Sequence, residues 1–518
     1  MTPTGGLAVS IGAGGLNRAA AHYLPGVVAK LKSLVVPGAS SKHFNYGNIA
    51  IASVGYDTFN VGFADATNQA SVIVDGVHLS TVSASFKVHA KILFAKVSCS
   101  GTFDAAVSGT NLNLAAVPGV TADGHPQASI KTGIHFGSVV VHHKLKNTVC
   151  KIAQSIVQLF IGSVNKQIED IVKKEVPSIV QKEIVAIVNP LLASIPLTLP
   201  IDKAAGVDGD FRLSAAPNIV QNTLHVVDLA RFEPTLPAPP AQWPPPGGFP
   251  APTALPLPSN TSSDVTLQLG EYAMNSVAAS FAYAGLLKQP PQVIKPTQQW
   301  NTSLLLDLFP KMAGHLPPGQ NLSFVFGVGE QVADWPLAIL TAAGGGKATF
   351  SVKGYINLTC ATPACVHGDG GAAPSGPPLA ILALSVDAVA SAGFYVKSSN
   401  VSAIAVAVNI GLGQFTLALD NSIVGKSIDV KLLDTLITFV LKDIIIPWAN
   451  KKYGSIGIPL PAIKGVQIKD PVLSLTEVDG CLTIGASIVF TGEADAVVAA
   501  ARAKQKADVV VVANVTTA

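Results

Sequence analysis

Charge is scarce in this 518-residue chain: Asp, Glu, Lys and Arg make up 13% of it, against 49% hydrophobic residues. A chain with so much to bury can fold, which excludes an intrinsically disordered protein. The net charge of +3 is too small for a general polyanion binder, so nucleic acid is excluded as a partner. Long apolar runs are missing too. No window of about 18 residues escapes a charge, a glycine or a proline, so no transmembrane helix is expected. The first ten residues, Met1 to Ser10, carry neither a basic segment nor a sustained apolar one, so the chain reads either as cytosolic or as having lost a secretory signal.

Catalytic signatures are equally thin. There is no Gly-x-Ser-x-Gly elbow to supply a lipase nucleophile. Gly346-Lys347 and Gly425-Lys426-Ser427 resemble the end of a phosphate loop, but the glycine required five positions earlier is Thr341 in one and Asp420 in the other. His135, His142 and His143 make a poor chelate, because adjacent histidines on a strand point to opposite faces. No enzyme, metal or cofactor is expected. Only five cysteines occur, without a zinc-ligand set. Cys360 and Cys365 are spaced to close a small disulfide loop, Cys99 and Cys150 could tie a strand to a helix start, and Cys481 is left over.

Proline, by contrast, is concentrated. From Pro234 to Pro258 nearly every second residue is proline, which predicts an extended crossover outside the core. Similar orders of elements flank it. Before it, apolar residues from Leu16 to Leu34 recur at helical spacing. Strand-like runs follow from Phe44 to Phe63, Ser71 to Leu79, Thr81 to Phe94, Lys96 to Val107 and Ile134 to Val141. A long one-sided helix then runs from Val149 to Leu192, bent at Pro177. After the crossover come a helix from Glu271 to Leu287, strands from Leu322 to Val328, Ala348 to Leu358, Leu379 to Val386 and Val401 to Leu419, and a helix from Ile428 stopped near Pro447. Strands from Gly465 to Leu475 and Leu482 to Phe490 close the second half. This is a duplicated domain, divided as 6–230, a linker 231–263, 264–492 and a tail 493–518.

Six Asn-x-Ser/Thr sequons, at Asn260, Asn301, Asn321, Asn357, Asn400 and Asn514, all fall after the crossover and are candidate glycosylation sites of a secreted protein.

Several segments taken in order resemble a known family. They are Ile156 to Phe160, Ile195-Pro196 with Ile201-Asp202, Ala215-Ala216-Pro217, the proline-rich strap, Leu269 to Tyr272, Asn275 to Ala278, and Leu482 to Phe490. Together, from about Gly6 to Phe490, the chain resembles the bactericidal/permeability-increasing and lipopolysaccharide-binding proteins with their cholesteryl ester transfer relatives. The resemblance implies an α+β boomerang of two similar barrels, each a twisted antiparallel sheet around a long helix, with a central sheet between them. It implies a secreted protein of innate immunity that binds phospholipid or another two-chain lipid, contacts lipid surfaces, and transfers lipid. The first site would use Leu16, Tyr23, Val27, Ile156, Phe160, Val164 and Ile168; the second, Met274, Val277, Phe281, Leu433, Ile437 and Leu441. At the tip of the first barrel Lys42, Lys87, Lys91 and Lys96 stand where the family's lipopolysaccharide binders gather basic residues. One departure is Pro177, which occupies the helix position of the family's disulfide, so that tie is absent or moved to Cys99 and Cys150. The alternative is a structural or adhesive secreted glycoprotein that keeps the fold with closed pockets.

Overall fold

A computed structural model describes residues 4–491, together with 496 and 499. Outside the described residues lie 1–3, 34, 37, 41–43, 93–94, 136, 147–165, 167–168, 170–172, 174–176, 179, 203–205, 236–242, 258–262, 289–291, 294–300, 329–330, 341–347, 361, 363, 366–378, 399–403, 427, 455–457, 461–464, 476–479 and the rest of the tail. The fold is α+β, mostly antiparallel strands with few helices.

Both halves of the chain build one central sheet. Its six strands run in the order Asn218–Val220, Thr223–Asp228, Leu7–Ile11, Val265–Gly270, Cys481–Phe490, Val466–Leu475. The opening strands of the two halves pair antiparallel, Leu7 with Leu269, Val9 with Leu267 and Ile11 with Val265, so a local two-fold exchanges them. Each strand ends in a glycine that caps a helix in nearly the same conformation, Gly12 (φ −80, ψ 174) before Ala13–Lys32 (α1) and Gly270 (φ −84, ψ 163) before Glu271–Tyr283. A residue larger than glycine at position 15 would bring its Cβ within 2.5 Å of the Asp264 carbonyl oxygen. The Asp264 carboxylate then fastens the halves, accepting from Arg18 Nε of α1 at 2.5 Å and from the Ile488 N–H at 3.1 Å.

In the first half a 10-stranded sheet is organised on one spine, Ala95–Val120, which pairs with Gln69–Thr81 and Ala84–Ile92 on one side and with Pro126–His135 and Ser138–Leu145 on the other. Sequence alone predicts an end to this strand at Val107. Gly109, at φ 65, bends the chain there without ending it. In the second half Ala348–Cys360, Leu379–Ser398 and Ile404–Ser422 form the corresponding long strands. The helix packed against them also outruns its expected stop. Val430–Phe439 passes through a π-helical turn, Val440–Ile445, into Ile446–Tyr453. Pro447 lacks the N–H of a regular turn and its ring crowds the carbonyl four residues back, and the wider turn gives that ring room. α1 likewise runs unbroken past Pro25, which sits on its exposed side.

The proline-rich crossover is no bare linker. Arg231–Pro234 pairs with Val207–Asp210, and Phe232, Trp243 and Leu255 are buried. Trp243 packs 5.9 Å from Trp335 and 5.7 Å from Tyr283, and its Nε1–H donates to the Phe232 carbonyl at 2.7 Å. These rings pin the crossover to the second half, which proline content alone could not predict.

The helix Glu271–Tyr283 holds the elements together by side-chain bonds to backbone. Asn275 Oδ1 accepts from the Ala338 N–H at 2.5 Å while its Nδ2–H donates to the Ala338 carbonyl at 3.3 Å. Ser276 Oγ accepts from the Phe232 N–H, and Ser280 Oγ–H donates to the Phe232 carbonyl. Replacing Asn275 by Ala strands two buried backbone groups, so Asn275→Ala is expected to cost about 2–5 kcal/mol in urea unfolding, whereas Ser33→Ala on the exposed end of α1 should stay within about 0.5 kcal/mol.

Candidate functional site

Each half packs helical segments against its sheet through an apolar cluster. In the first, Leu24, Val27 and Leu31 of α1 are buried against Val74, Leu112 and Leu114 of the sheet and against Val180, Ile187 and Leu191 of the helical stretch 180–193. Helical spacing puts the α1 residues on one stripe, and strand alternation turns the sheet residues inward. Around this floor Ala20, Tyr23, Tyr56, Phe59, Val77 and Ile184 pack on the cluster yet keep accessible surface. Tyr23 lies edge-on to Phe490 of the last strand at 5.5 Å, and His22 stacks on Phe490 at 5.2 Å, so the interior abuts the central sheet. Leu16 is half-buried two turns earlier. Ile156, Phe160, Val164 and Ile168 lie outside the described residues.

The second interior is split. Leu433, Ile437 and Leu441 are buried with Phe324, Ile356, Leu384, Phe309 and Met312, and Leu304, Leu308, Phe326, Phe415 and Leu417 form their partly accessible surround. Met274 and Val277 belong to another cluster, against Leu267, Leu269 and Ile484 of the central sheet. Phe281 is buried further along the same helix. The structure therefore places the six residues proposed for the second site in more than one packing environment. Cys360 and Cys365 are disulfide-linked across 5.9 Å between Cα atoms at the edge of the Leu433 cluster. Cys99 is also disulfide-bonded, Cys150 lies outside the described residues, and Cys481 is buried as a thiol.

Basic side chains gather on the outer face of the first sheet. Lys87 is exposed and pairs in register with Ser100; the Lys146 N–H donates to the Ser100 carbonyl from the other side, and Lys144 pairs with Thr102. Directly opposed residues share a face, so Lys87, Lys144 and Lys146 project together. Lys91 and Lys96 oppose each other in the adjoining hairpin, with side chains outside the described set, as is all of Lys42. Sequence reading missed Lys144 and Lys146. Their alternation in and just after Ser138–Leu145 was visible, but only the register with Ala95–Val120 brings them beside Lys87.

Of the sequons, Asn301 and Asn321 face each other in an isolated bridge, and Asn301 Oδ1 accepts from the Ser303 and Leu304 N–H groups as a helix cap. Asn357 is half-buried on its strand; Asn260, Asn400 and Asn514 lie outside the described residues.

Two titratable groupings lie elsewhere. Burial raises the Asp210 carboxyl, but the hydrogen bonds and charge of Arg212, with the charge of Arg231, outweigh it and hold it below the usual range. Ser10 Oγ and His225 Nδ1 are 2.9 Å apart, the reach of a nucleophile and its base, yet they are only 2% and 1% exposed. Sealed in the central sheet, that pair is a structural contact.

Against known proteins, residues 200–490, more than half of the chain, match the sequence profile described as LBP / BPI / CETP family, C-terminal domain. The lipopolysaccharide-binding protein of Bos taurus is 23% identical over 491 residues, covering 91% of each chain. The crystal structure of a lipopolysaccharide binding protein aligns with a TM-score of 0.55 at 18% identity, over 95% of this chain and 100% of that one. That likeness is one of fold.

Packing in the second interior can be tested at neighbouring positions. Leu433→Ala, at a fully buried site, is expected to lower stability by about 2–5 kcal/mol, while Leu432→Ala, at a site 45% exposed, should change it by about 0.5 kcal/mol or less in the same denaturant titration.

Proposed function

The chain belongs to the LBP / BPI / CETP family, and from that premise we propose that it is a non-catalytic, extracellular binder of amphipathic lipids. Acyl chains lie in the two barrel interiors, and anionic headgroups of the lipopolysaccharide class are held on the outer basic face. The observation that carries this reading is the pattern of the interiors. In each, a buried helical stripe is surrounded by apolar side chains that still have accessible surface, among them Tyr23, Tyr56 and Phe59 in one and Phe326 and Phe415 in the other. Such surfaces favour chains over headgroups, since each buried methylene contributes about 0.8 kcal/mol. Affinity should therefore rise with acyl length. Lys87, Lys144 and Lys146 supply a different contact, charge-assisted and exposed, which discriminates by phosphate and is screened by salt.

The relatives' names support the class of ligand: the bovine homologue and the aligned crystal structure are both lipopolysaccharide-binding proteins. Lipid transfer and an extracellular setting are part of this proposal, with the family membership as their support.

Two readouts separate the two kinds of contact. Native mass spectrometry of gently purified protein is expected to show bound two-chain lipid; protein that is lipid-free and takes up no fluorescent phospholipid contradicts the reading. Neutralising Lys87, Lys144 and Lys146 together, alone or with Lys42, Lys91 and Lys96, is expected to weaken lipopolysaccharide binding by about tenfold at low salt. Phosphatidylcholine uptake should be unchanged. Equal lipopolysaccharide affinity, or affinity that does not fall as the Debye length shrinks from about 10 Å at 0.1 M to about 3 Å at 1 M salt, would remove the basic face from the account.

A further inference from the structure

The face of the central sheet that carries Ala8 and Val227, under Leu255 of the crossover, is polar yet sealed. Across it runs a row of opposed side chains, Asn218, His225, Ser10 and Thr266, one from each of four neighbouring strands. The local two-fold that exchanges Val9 with Leu267 takes the first three of this row onto Ser474, Thr483 and Gln268. His225 and Thr483 are therefore counterparts. Of the two counterparts only His225, in the first half, can titrate.

We propose that His225 is an acid-sensitive latch of the central sheet: when it takes up a proton, the pairing of Thr223–Asp228 with Leu7–Ile11 weakens and the joint shared by the two halves loosens.

The geometry leaves a cation there without a counter-charge. His225 is 1% exposed, its Nδ1 is 2.9 Å from the neutral Ser10 hydroxyl, and its Nε2 is buried with no protein partner among the described residues. From Asn218–Val220 it faces Asn218, from Leu7–Ile11 it faces Ser10, and beyond that lies Thr266. On the strand that carries Thr266 the acid is Asp264, just before its first residue, and it is committed to Arg18 and the Ile488 N–H. Asp65, below the turn, accepts from the Gln221 and Asn222 N–H groups. On the same strand Asp228 points to the opposite face, with Leu7. Burial and then the Asp210 charge raise its carboxyl well above the usual range. The crossover offers Leu255, which is apolar.

Burial accordingly pushes the imidazole below its ordinary 6.5. The unfolded chain then binds the extra proton first, so the stability present above pH 6.5 is lost as pH falls toward the lower folded value. Asp228 works in the opposite sense: its raised carboxyl makes stability fall as pH rises through it. Comparing wild type with a His225 variant at each pH cancels that contribution.

The test is hydrogen exchange with mass spectrometry on the full chain from pH 7.5 to 5, corrected for the intrinsic pH dependence of exchange. In the wild type, protection of peptides spanning Leu7–Ile11 and Thr223–Asp228 is expected to fall by up to about tenfold per pH unit below 6.5, relative to His225→Thr, which installs the counterpart residue. Peptides of Leu379–Ser398 in the second half should respond alike in both. His225→Gln, which keeps a polar side chain beside Ser10, gives the same reading if the Thr variant does not fold. A wild-type-to-variant ratio that is flat with pH, or one that changes equally in Leu379–Ser398, overturns the proposal.

Discussion

The structure depends on how one helix completes the hydrogen bonding of strands it does not belong to. Edge strands leave backbone groups that must find partners when buried. Arg231–Pro234, opening the crossover, and Leu337–Leu340, in the second half, both meet the helix Glu271–Tyr283. Asn275 acts as a one-residue strand toward Ala338, Ser276 and Ser280 do the same for Phe232, and Glu271 Oε1 accepts from the Leu340 N–H at 2.6 Å. A wholly apolar helix face would have left the Ala338 N–H and carbonyl and the Phe232 and Leu340 N–H groups unpaired at a cost of about 1–3 kcal/mol each, while the Phe232 carbonyl would keep only its bond from Trp243 Nε1–H. Polar residues therefore hold the junction, and the interiors on either side are free to be apolar.

That division explains the composition. A chain that is 49% hydrophobic and 13% charged has more apolar surface than one core can take. Here the surplus is shared among separate clusters: one around Leu24 and Val27, one around Leu433 and Ile437, and one on the central sheet around Leu267 and Ile484. Each helix packs one-sidedly on its sheet, and aromatic residues at the margins of the clusters, such as Tyr56, Phe59 and Phe415, are only partly buried. The second helix continues past Pro447 through a π-helical turn at Val440–Ile445.

Much of this was legible in the sequence, because it rests on periodicity. The change between period two and period 3.6 marked α1 and the helix beginning near Val430, and alternation marked the strands between them. What the sequence hides depends on register. Lys144 and Lys146 join Lys87 only through their pairing with Ala95–Val120. Met274 and Leu433 both carry helical apolar spacing, but no spacing says which cluster each helix faces. Punctuation residues misled in a consistent direction: Gly109 and Pro447 looked like ends and are bends, and the proline-rich crossover looked solvated although Phe232, Trp243 and Leu255 anchor it. At the crossover the buried Trp243 and Leu255 overrode the local preference of proline, and at Pro447 a π-helical turn made room for the ring.

The central claim is that the central sheet is one mechanical unit to which both halves contribute, because strands from both ends of the chain share it and one helix ties the edges of two other sheets. Hydrogen exchange at increasing urea tests it most directly, by following Leu7–Ile11 near the start of the chain and Cys481–Phe490 near its end, two strands separated in the sheet only by Val265–Gly270. The account predicts that both segments lose protection at the same urea concentration. Loss of one while the other stays protected, as expected of two domains that merely touch, would contradict it.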